Sequence, residues 1–553
     1  MTTYKNLRFL FKFTKNSKMY LILGILSMIL SVAIVTPIPY LMGYIIDKII
    51  LVEKSYLRLH KIILLMFIIY IIKYLLTLVY QYFFSKVQQN VINEVRLSMI
   101  NNVINAPLNF LNAKEKGYIL SRISESEQIG SVFTPSILNS FIAVVDFIVS
   151  LIVMINLNVK ITILCLIITP IYYLISKKSS NNISKSTIKL HESKAIFNGD
   201  MVEILNGIED IKLLNAKSMH MNKVSNKLDT MIKNTLKQTL SFIFFIQNII
   251  LASDIVTLLV LFLSGILILQ NEITIGLYTT FSMYTSKMLS AAQSLGTLDI
   301  TIKPVCITIA RIKEFFSLED ECSVDSISFE ESIQSISFKN LFFKYNDDSE
   351  FIINDFNDEF KEGDKILLGG INGSGKTTLI KLITSLYNPT KGQILINGQD
   401  YLTLDKRSLR SKIGIVSQNI FLFKGTVLDN ILYGKEDATR EDVINLINKN
   451  KLDSYVNRFE NGLDTEIVQN GIGLSGGQSQ IVAFLRAMIG KKEIIILDEA
   501  TSNLDTDTRK ILLNTLSKID NYKILIIISH CDEEIDFINK KVILKSNQSI
   551  FST

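Results

Sequence analysis

The chain of 553 residues has no tryptophan, only seven prolines and only four cysteines. Cys165, Cys306, Cys322 and Cys531 lie far apart and form no C-x-x-C unit, which argues against both a zinc site and a disulfide framework. Isolated thiols of this kind suit a protein facing a reducing cytoplasm. Charge is scarce too: 20% of residues are charged against 48% hydrophobic, and mean hydropathy is +0.32. So high a value over such a length argues against an ordinary soluble protein and points to membrane segments. The net charge of +6 is modest. Its basic residues cluster beside apolar runs, as under an anionic leaflet, and no nucleic-acid surface is indicated.

What is present in the front half is apolar sequence. The N-terminus carries Lys5, Arg8, Lys12, Lys15 and Lys18 and no acid, as a signal peptide does. The apolar run that follows, 19–42, is too long for a signal-peptide core of ~7–15 residues, so an amphipathic helix leading into a retained membrane helix is expected. Six stretches approach the ~20 residues that cross a bilayer: 19–45, 62–84, 133–157, 161–176, 240–269 and 273–295. The sixth carries Thr279, Thr280, Ser282, Tyr284, Thr285, Ser286 and Gln293, a polar load that suits the wall of a polar cavity.

Loop charge orients the spans. Lys86, Arg96, Lys114, Lys116 and Arg122 lie between the second and third, and eleven lysines from Lys177 to Lys237 lie between the fourth and fifth. The third-to-fourth connection holds only Lys160, and the fifth-to-sixth holds Glu272 without a base. Basic loops belong to the cytoplasm, which places both termini inside a multi-pass protein of the cell membrane. The two basic segments stay helical in pattern, so rods that continue beyond the bilayer are expected. Short apolar tips at 106–111 and 199–207 need a cytoplasmic domain to bury them. Three charges, Lys73, Asp146 and Asp254, fall inside predicted spans. Each serves either a substrate or ion path, or helix pairing.

From about 306 to 334 the chain turns polar and acidic and reads as a linker. The period changes at Ser335, where a soluble α/β domain begins. Its centre is 370–378, Gly-Ile-Asn-Gly-Ser-Gly-Lys-Thr-Thr, which fits the P-loop pattern. Gly370, Gly373 and Gly375 allow close backbone approach to a polyphosphate, and Lys376 at a helix start follows the β- and γ-phosphates. Thr377 offers a hydroxyl to Mg²⁺. Tyr345 could stack on an adenine or fill a core. The apolar run 494–497 ends in Asp498 and Glu499, a strand that delivers two acids to a sheet edge: Asp498 for Mg²⁺, Glu499 to polarise the attacking water. A second apolar strand, 524–528, leads to Ser529 and His530. Leu474, Ser475, Gly476, Gly477 and Gln478 open another helix and form a second phosphate-type nest, most economically one that serves the nucleotide of another copy.

In their order and spacing these motifs closely resemble an ATP-binding cassette (ABC) exporter half-transporter, and the likeness covers nearly the whole chain. Within it, 474–478 is the signature, Ser502, Asn503, Leu504 and Asp505 match the loop after the acidic strand, and 416–423 resembles the glutamine loop. Residues 111–123 look like the first cytoplasmic loop of the exporter class. The resemblance implies a membrane all-α six-helix domain (1–305), a linker (306–334) and a soluble α/β P-loop ATPase domain (335–553). It implies ATP and Mg²⁺, with ATP bound by Tyr345, Gly370, Asn372, Gly373, Ser374, Gly375, Lys376, Thr377 and Thr378 of one chain. Ser475, Gly476, Gly477, Gln478 and Asp505 would complete the site from its partner. Thr377, Gln418 and Asp498 would hold the metal, and Glu499, His530, Gln418 and Lys376 would serve hydrolysis.

The partners implied are a second half-transporter (a homodimer favoured, a heterodimer possible), membrane lipids and an exported substrate. A peptide is the first expectation for cargo; a lipid, a drug or small amphiphile is the alternative, and an ATP-regulated channel is a different class. No peptidase segment precedes the first span, so leader processing is not expected. Departures from the family pattern are Ser479, Gln480 and Ile481 after the signature, Val468 and Gln469 for a usual glycine–glutamate pair, the acidic run after His530, and the end of the chain at Thr553. They bear on coupling and dimer contacts, not on ATP chemistry.

Overall fold

The computed structural model describes residues 8–114, 116–318, 320–321, 327–346, 348–435, 437–468, 474–499, 506–518, 522–528 and 535–544. Asp505 and His530 lie outside the described residues. The chain forms two compact units: Met1–Ile104 with Lys114–Leu318, and Asn105–Ala113 with Glu319–Thr553.

The first unit is helical. Lys18–Val35 and Ile38–Tyr44 are followed by a π-helical stretch, Ile45–Glu53, and then by Tyr56–Ile104, Lys116–Ile129, Pro135–Leu157, Val159–Asn206, Ile208–Leu213, Lys217–Leu269 and Ile275–Phe316. Two starts are capped. The Asn158 side chain accepts from the N–H groups of Lys160 and Ile161, and Thr274 Oγ1 accepts from that of Leu277. Lys217–Leu269 has 53 residues. At ~1.5 Å per residue it reaches about 80 Å, well beyond a hydrocarbon layer of ~30 Å, which gives the expected rods. Among the described residues five helices are long and apolar enough to cross a membrane. The sixth expected span falls in Ile275–Phe316, which runs on through Cys306, Ile309, Ile312 and Phe315, all buried. Part of the stretch expected as linker is therefore packed helix.

Three polar groups of that sixth span have a different use from the one expected. Thr280 Oγ1 donates to the carbonyls of Pro39 (3.1 Å) and Gly276 (3.0 Å), Tyr284 donates to that of Thr36 (2.8 Å), and Thr285 meets Cys165 Sγ at 3.4 Å. These three residues are buried and join helices instead of lining a cavity. Asp146 of helix Pro135–Leu157 lies 3.6 Å from Lys287 of Ile275–Phe316. Lys287 escapes a scan for membrane charges because its span is already weak in hydropathy. The tip expected at 199–207 instead ends the long helix Val159–Asn206; the short helix Ile208–Leu213 follows it, with Leu213 and Leu214 exposed in this unit.

The second unit is built on sheets. An antiparallel sheet has the order β2-β1-β4-β5, with β1 Ser335–Phe343, β2 Ile353–Lys361, β4 Lys391–Ile396 and β5 Gln399–Asp400. A parallel sheet has the order β11-β3-β10-β9-β6, with β3 Lys365–Gly369, β6 Ile413–Val416, β9 Ile494–Asp498, β10 Ile524–Ile528 and β11 Lys540–Ile543. A short pair, β7 Gly425–Thr426 and β8 Glu466–Ile467, completes the strands described. β9 and β10 are buried throughout, as continuous apolar strands covered on both faces must be. The helix Leu108–Ala113 belongs to this unit: Leu108 packs on its core, and Asn112 Nδ2 donates to the Tyr387 hydroxyl at 2.6 Å. That apolar tip is thus partly covered, with Leu108, Phe110 and Leu111 half-buried.

Glu493 ties the segment before β1 to the parallel sheet. Its carboxylate accepts from Ile333 N (2.6 Å), Ser332 Oγ (3.0 Å) and Lys412 Nζ (3.0 Å). Burial pushes the carboxyl up, but the Ile333 N–H, Lys412 and Ser332 together outweigh it and hold the group below its ordinary value. A depressed carboxylate stabilises the fold above its unfolded-state titration and loses that contribution as pH falls through the folded value. Glu493→Gln is expected to cost about 1–2 kcal/mol at neutral pH and lower Tm by a few degrees, with the gap from wild type closing in acid. Thermal unfolding of the full chain at several pH values measures it; a gap independent of pH contradicts the assignment.

Candidate nucleotide site

Parallel register decides which residues meet. Ile528 of β10 pairs with Leu368 of β3 on one side and with Asp498 of β9 on the other, while Val416 of β6 pairs with Leu497. The C-terminal ends of four strands therefore share one edge, where α/β sheets bind ligands. The loop 370–375 follows β3, Gln418 follows β6, and Glu499 follows β9.

The loop is shaped by glycine. Gly370 has φ +140°, and a Cβ there would lie 2.5 Å from Ser374 Oγ and 2.8 Å from the Leu544 carbonyl. Gly375 has φ +94° and caps the helix Lys376–Ile383, with Ile352 Cγ2 only 3.1 Å from where its Cβ would stand. Gly373, at φ +81°, sits in open space beside exposed Asn372. Lys376 is buried, and its ammonium donates to the carbonyls of Gly370 (2.7 Å) and Ile371 (3.1 Å). The charge is thus held over the loop. Ser374 Oγ is buried without a hydrogen-bond partner. Thr378 Oγ1 lies 3.1 Å from the Tyr345 hydroxyl.

Asp498 is 3% exposed and its Oδ1 has no hydrogen-bond partner. Burial pushes its carboxyl above the ordinary value, the Glu499 charge adds to this, and a hydrogen bond from exposed Thr377 with Lys376 and Lys381 nearby opposes it. A buried carboxylate with an orphaned oxygen, beside a threonine hydroxyl, is an all-oxygen donor set for a small divalent cation. These residues fit Mg²⁺. Glu499 stands at φ +51°, a conformation that costs a non-glycine residue energy and that clusters at functional sites. Its carboxylate accepts from Gln418 Nε2 at 2.5 Å, so the strand end and the glutamine segment meet.

Tyr345 packs edge-on against Phe343 (5.0 Å) and Tyr387 (5.2 Å), with the Lys381 ammonium 5.5 Å from its ring centre. Ser475 is the exposed N-cap of helix Gly476–Met488, in a capping box with Gln478: Gln478 N donates to Ser475 Oγ (3.2 Å) and Ser475 N to Gln478 Oε1 (2.9 Å). This helix lies close on two glycines that carry no motif. A Cβ at Gly414 would be 2.1 Å from the Ala487 carbonyl, and one at Gly434 would be 2.1 Å from that of Arg486. A glycine inside an apolar strand was the available signal for the first.

Two families match the chain: the ABC transporter transmembrane region over residues 21–293 and the ABC transporter over 353–502. Among curated relatives, the transport/processing ATP-binding protein ComA of Streptococcus pneumoniae is 26% identical over 84% of this chain and 65% of its own. The chain thus spans less than two-thirds of that relative. YgaD of Bacillus subtilis, provisionally named a multidrug export ATP-binding/permease protein, is 26% identical over 98% of this chain and 94% of its own. A solved bacterial Atm1-family ABC exporter with ATP bound shares the fold, with a TM-score of 0.86 over 96% of this chain and 93% of that one at 21% identity.

Gly375→Ala tests the loop geometry. The strained φ and the contact with Ile352 should weaken nucleotide binding at least ~10-fold, or ~1.4 kcal/mol. Titration with a fluorescent ATP analogue, with circular dichroism to verify folding, measures this; unchanged affinity contradicts it. With its loop, acidic strand ends and helical membrane unit in one polypeptide, and with both matches in order along it, the chain belongs to the ABC transporter family, its transmembrane region and its ATPase domain carried on one chain.

Proposed function

We propose that the chain hydrolyses ATP to drive export across the cytoplasmic membrane, as one half of a dimer with two ATPs at the cassette interface. The observation that carries this reading is the sheet edge on which the P-loop, Asp498 and the Gln418–Glu499 pair meet. Lys376 and the loop N–H groups would bind the β- and γ-phosphates. Thr377 and Asp498, with the Gln418 amide oxygen, would hold Mg²⁺, which neutralises phosphate charge. Glu499 would orient and polarise the attacking water, its carboxylate positioned by Gln418. Ser475 to Gln478 and Asp505 would meet the nucleotide of the partner subunit, and His530 the γ-phosphate. The partner's ATPase unit would cover the exposed tip at Leu213 and Leu214. Basic loops support a topology with both termini and the ATPase unit in the cytoplasm.

For cargo, relatives named for lactococcin transport, exotoxin translocation and leukotoxin export support a peptide. The fuller coverage of YgaD favours a second reading, a small amphiphile. Of the polar groups in the sixth span, Thr280, Tyr284 and Thr285 are spent on helix contacts and support neither reading.

Glu499→Gln should lower ATP turnover by about 10²–10⁴-fold while retaining ATP binding, and Lys376→Ala should cripple binding or hydrolysis. ATPase assays and ATP-dependent uptake of candidate peptides and lipids into inverted vesicles measure these outcomes. Near wild-type turnover by Glu499→Gln would remove the base assignment, and no ATP-dependent uptake of any solute would sink the export reading.

A further inference from the structure

Two intramembrane charges have no partner among the described residues of their own chain. Lys73 lies in the apolar middle of helix Tyr56–Ile104 and Asp254 in that of Lys217–Leu269, and both are exposed. Among the described residues neither side chain makes an ion pair or a hydrogen bond. Asp146, by contrast, has Lys287. The neighbours of the unpaired charges are exposed and apolar, Tyr74 and Leu75 beside Lys73, and Leu251 and Leu258 near Asp254. Only 6% of the membrane stretch around Lys73 and 22% of that around Asp254 is buried by the chain itself.

Depth matches as well. Four membrane helices separate the start of Tyr56–Ile104 from the end of Lys217–Leu269, which returns the chain to the same side of the bilayer. At ~1.5 Å per residue, Lys73 lies about 25 Å from the end at Tyr56 and Asp254 about 22 Å from the end at Leu269. Hydrocarbon offers neither group a counter-charge, and a lone charge at this depth is expensive. Opposite sign, equal depth and shared exposure on otherwise apolar faces are the complementarity of a membrane interface with a second copy of this chain.

We propose that Lys73 pairs with the partner subunit's Asp254 in a homodimer. Two-fold symmetry makes the contact twice and leaves none of Lys73, Asp146 and Asp254 unpaired in the bilayer. The proposal rests on the dimeric reading above and selects like chains over a heterodimer, because one chain carries both halves of the contact.

Cross-linking tests the pair. In the full chain with its native cysteines changed to alanine, Lys73→Cys and Asp254→Cys are introduced singly and together, reconstituted in nanodiscs and oxidised. The double variant is expected to give a disulfide-linked dimer several-fold above either single variant on a non-reducing gel. A link within one chain, no link, or a single-variant dimer as strong as the double overturns it. Lys73→Asp and Asp254→Lys should each reduce the dimer fraction several-fold, and the two together should restore it; an exchange no better than the singles overturns it too. Should a charge variant fail to fold, the cross-link decides alone. Neither readout needs ATP or cargo. A 73–254 link in a protein that pumps nothing would sink export and leave the pair standing, and ATP-driven uptake without the link would sink only the pair.

Discussion

A carboxylate held out of water at the end of β9 is the constraint on which the ATPase unit depends. Asp498 reaches that position because Ile494, Ile495, Ile496 and Leu497 make a strand that only the middle of a parallel sheet will cover. The same burial that anchors the strand raises the cost of the charge. What surrounds it answers that cost: the Thr377 hydroxyl, the lysines 376 and 381, and the donor set for a cation. Glu499, one residue on, is turned into a strained conformation where Gln418 can hold it. Chemistry and packing are therefore one problem at this edge.

From this edge a run of contacts extends through the second unit. Thr378 touches the Tyr345 hydroxyl, Tyr345 packs on Tyr387, and Tyr387 accepts from Asn112 in the short helix Leu108–Ala113. That helix is contributed by the stretch between two membrane rods. A change beside the phosphate loop thus has continuous side-chain contact with a segment covalently joined to the membrane helices. Gly414 in β6 and Gly434 in a turn let the last turn of helix Gly476–Met488 pack close by backbone contact, at Ala487 and Arg486.

The legible parts were those where chemistry dictates spacing. Gly370, Gly375 and Lys376 were readable because phosphate binding tolerates few alternatives, and the β9 and β10 strands because continuous burial leaves a continuous apolar run. Less was readable where a residue's role depends on what folds against it. Thr280, Tyr284 and Thr285 had the composition of a cavity wall, but their hydroxyls bond Pro39, Thr36 and Cys165, partners far away in the chain. Lys287 was hidden for the same reason, since hydropathy averages cannot tell a paired lysine from a weak span. The helix beyond Cys306 was misread because its polar face outweighed its buried stripe of Ile309, Ile312 and Phe315.

The central claim is that each ATP site is divided between two chains, and mixed dimers measure it directly. Chains carrying Lys376→Ala under one tag are co-expressed with chains carrying Ser475→Arg under another, and dimers holding both tags are isolated. Each variant alone spoils both sites of its own dimer. A divided site predicts that the mixed dimer regains one intact site and hydrolyses ATP at up to about half the wild-type rate, since one of its two sites is whole. Mixed dimers no more active than the two parent variants would place the whole site within a single chain and contradict the account.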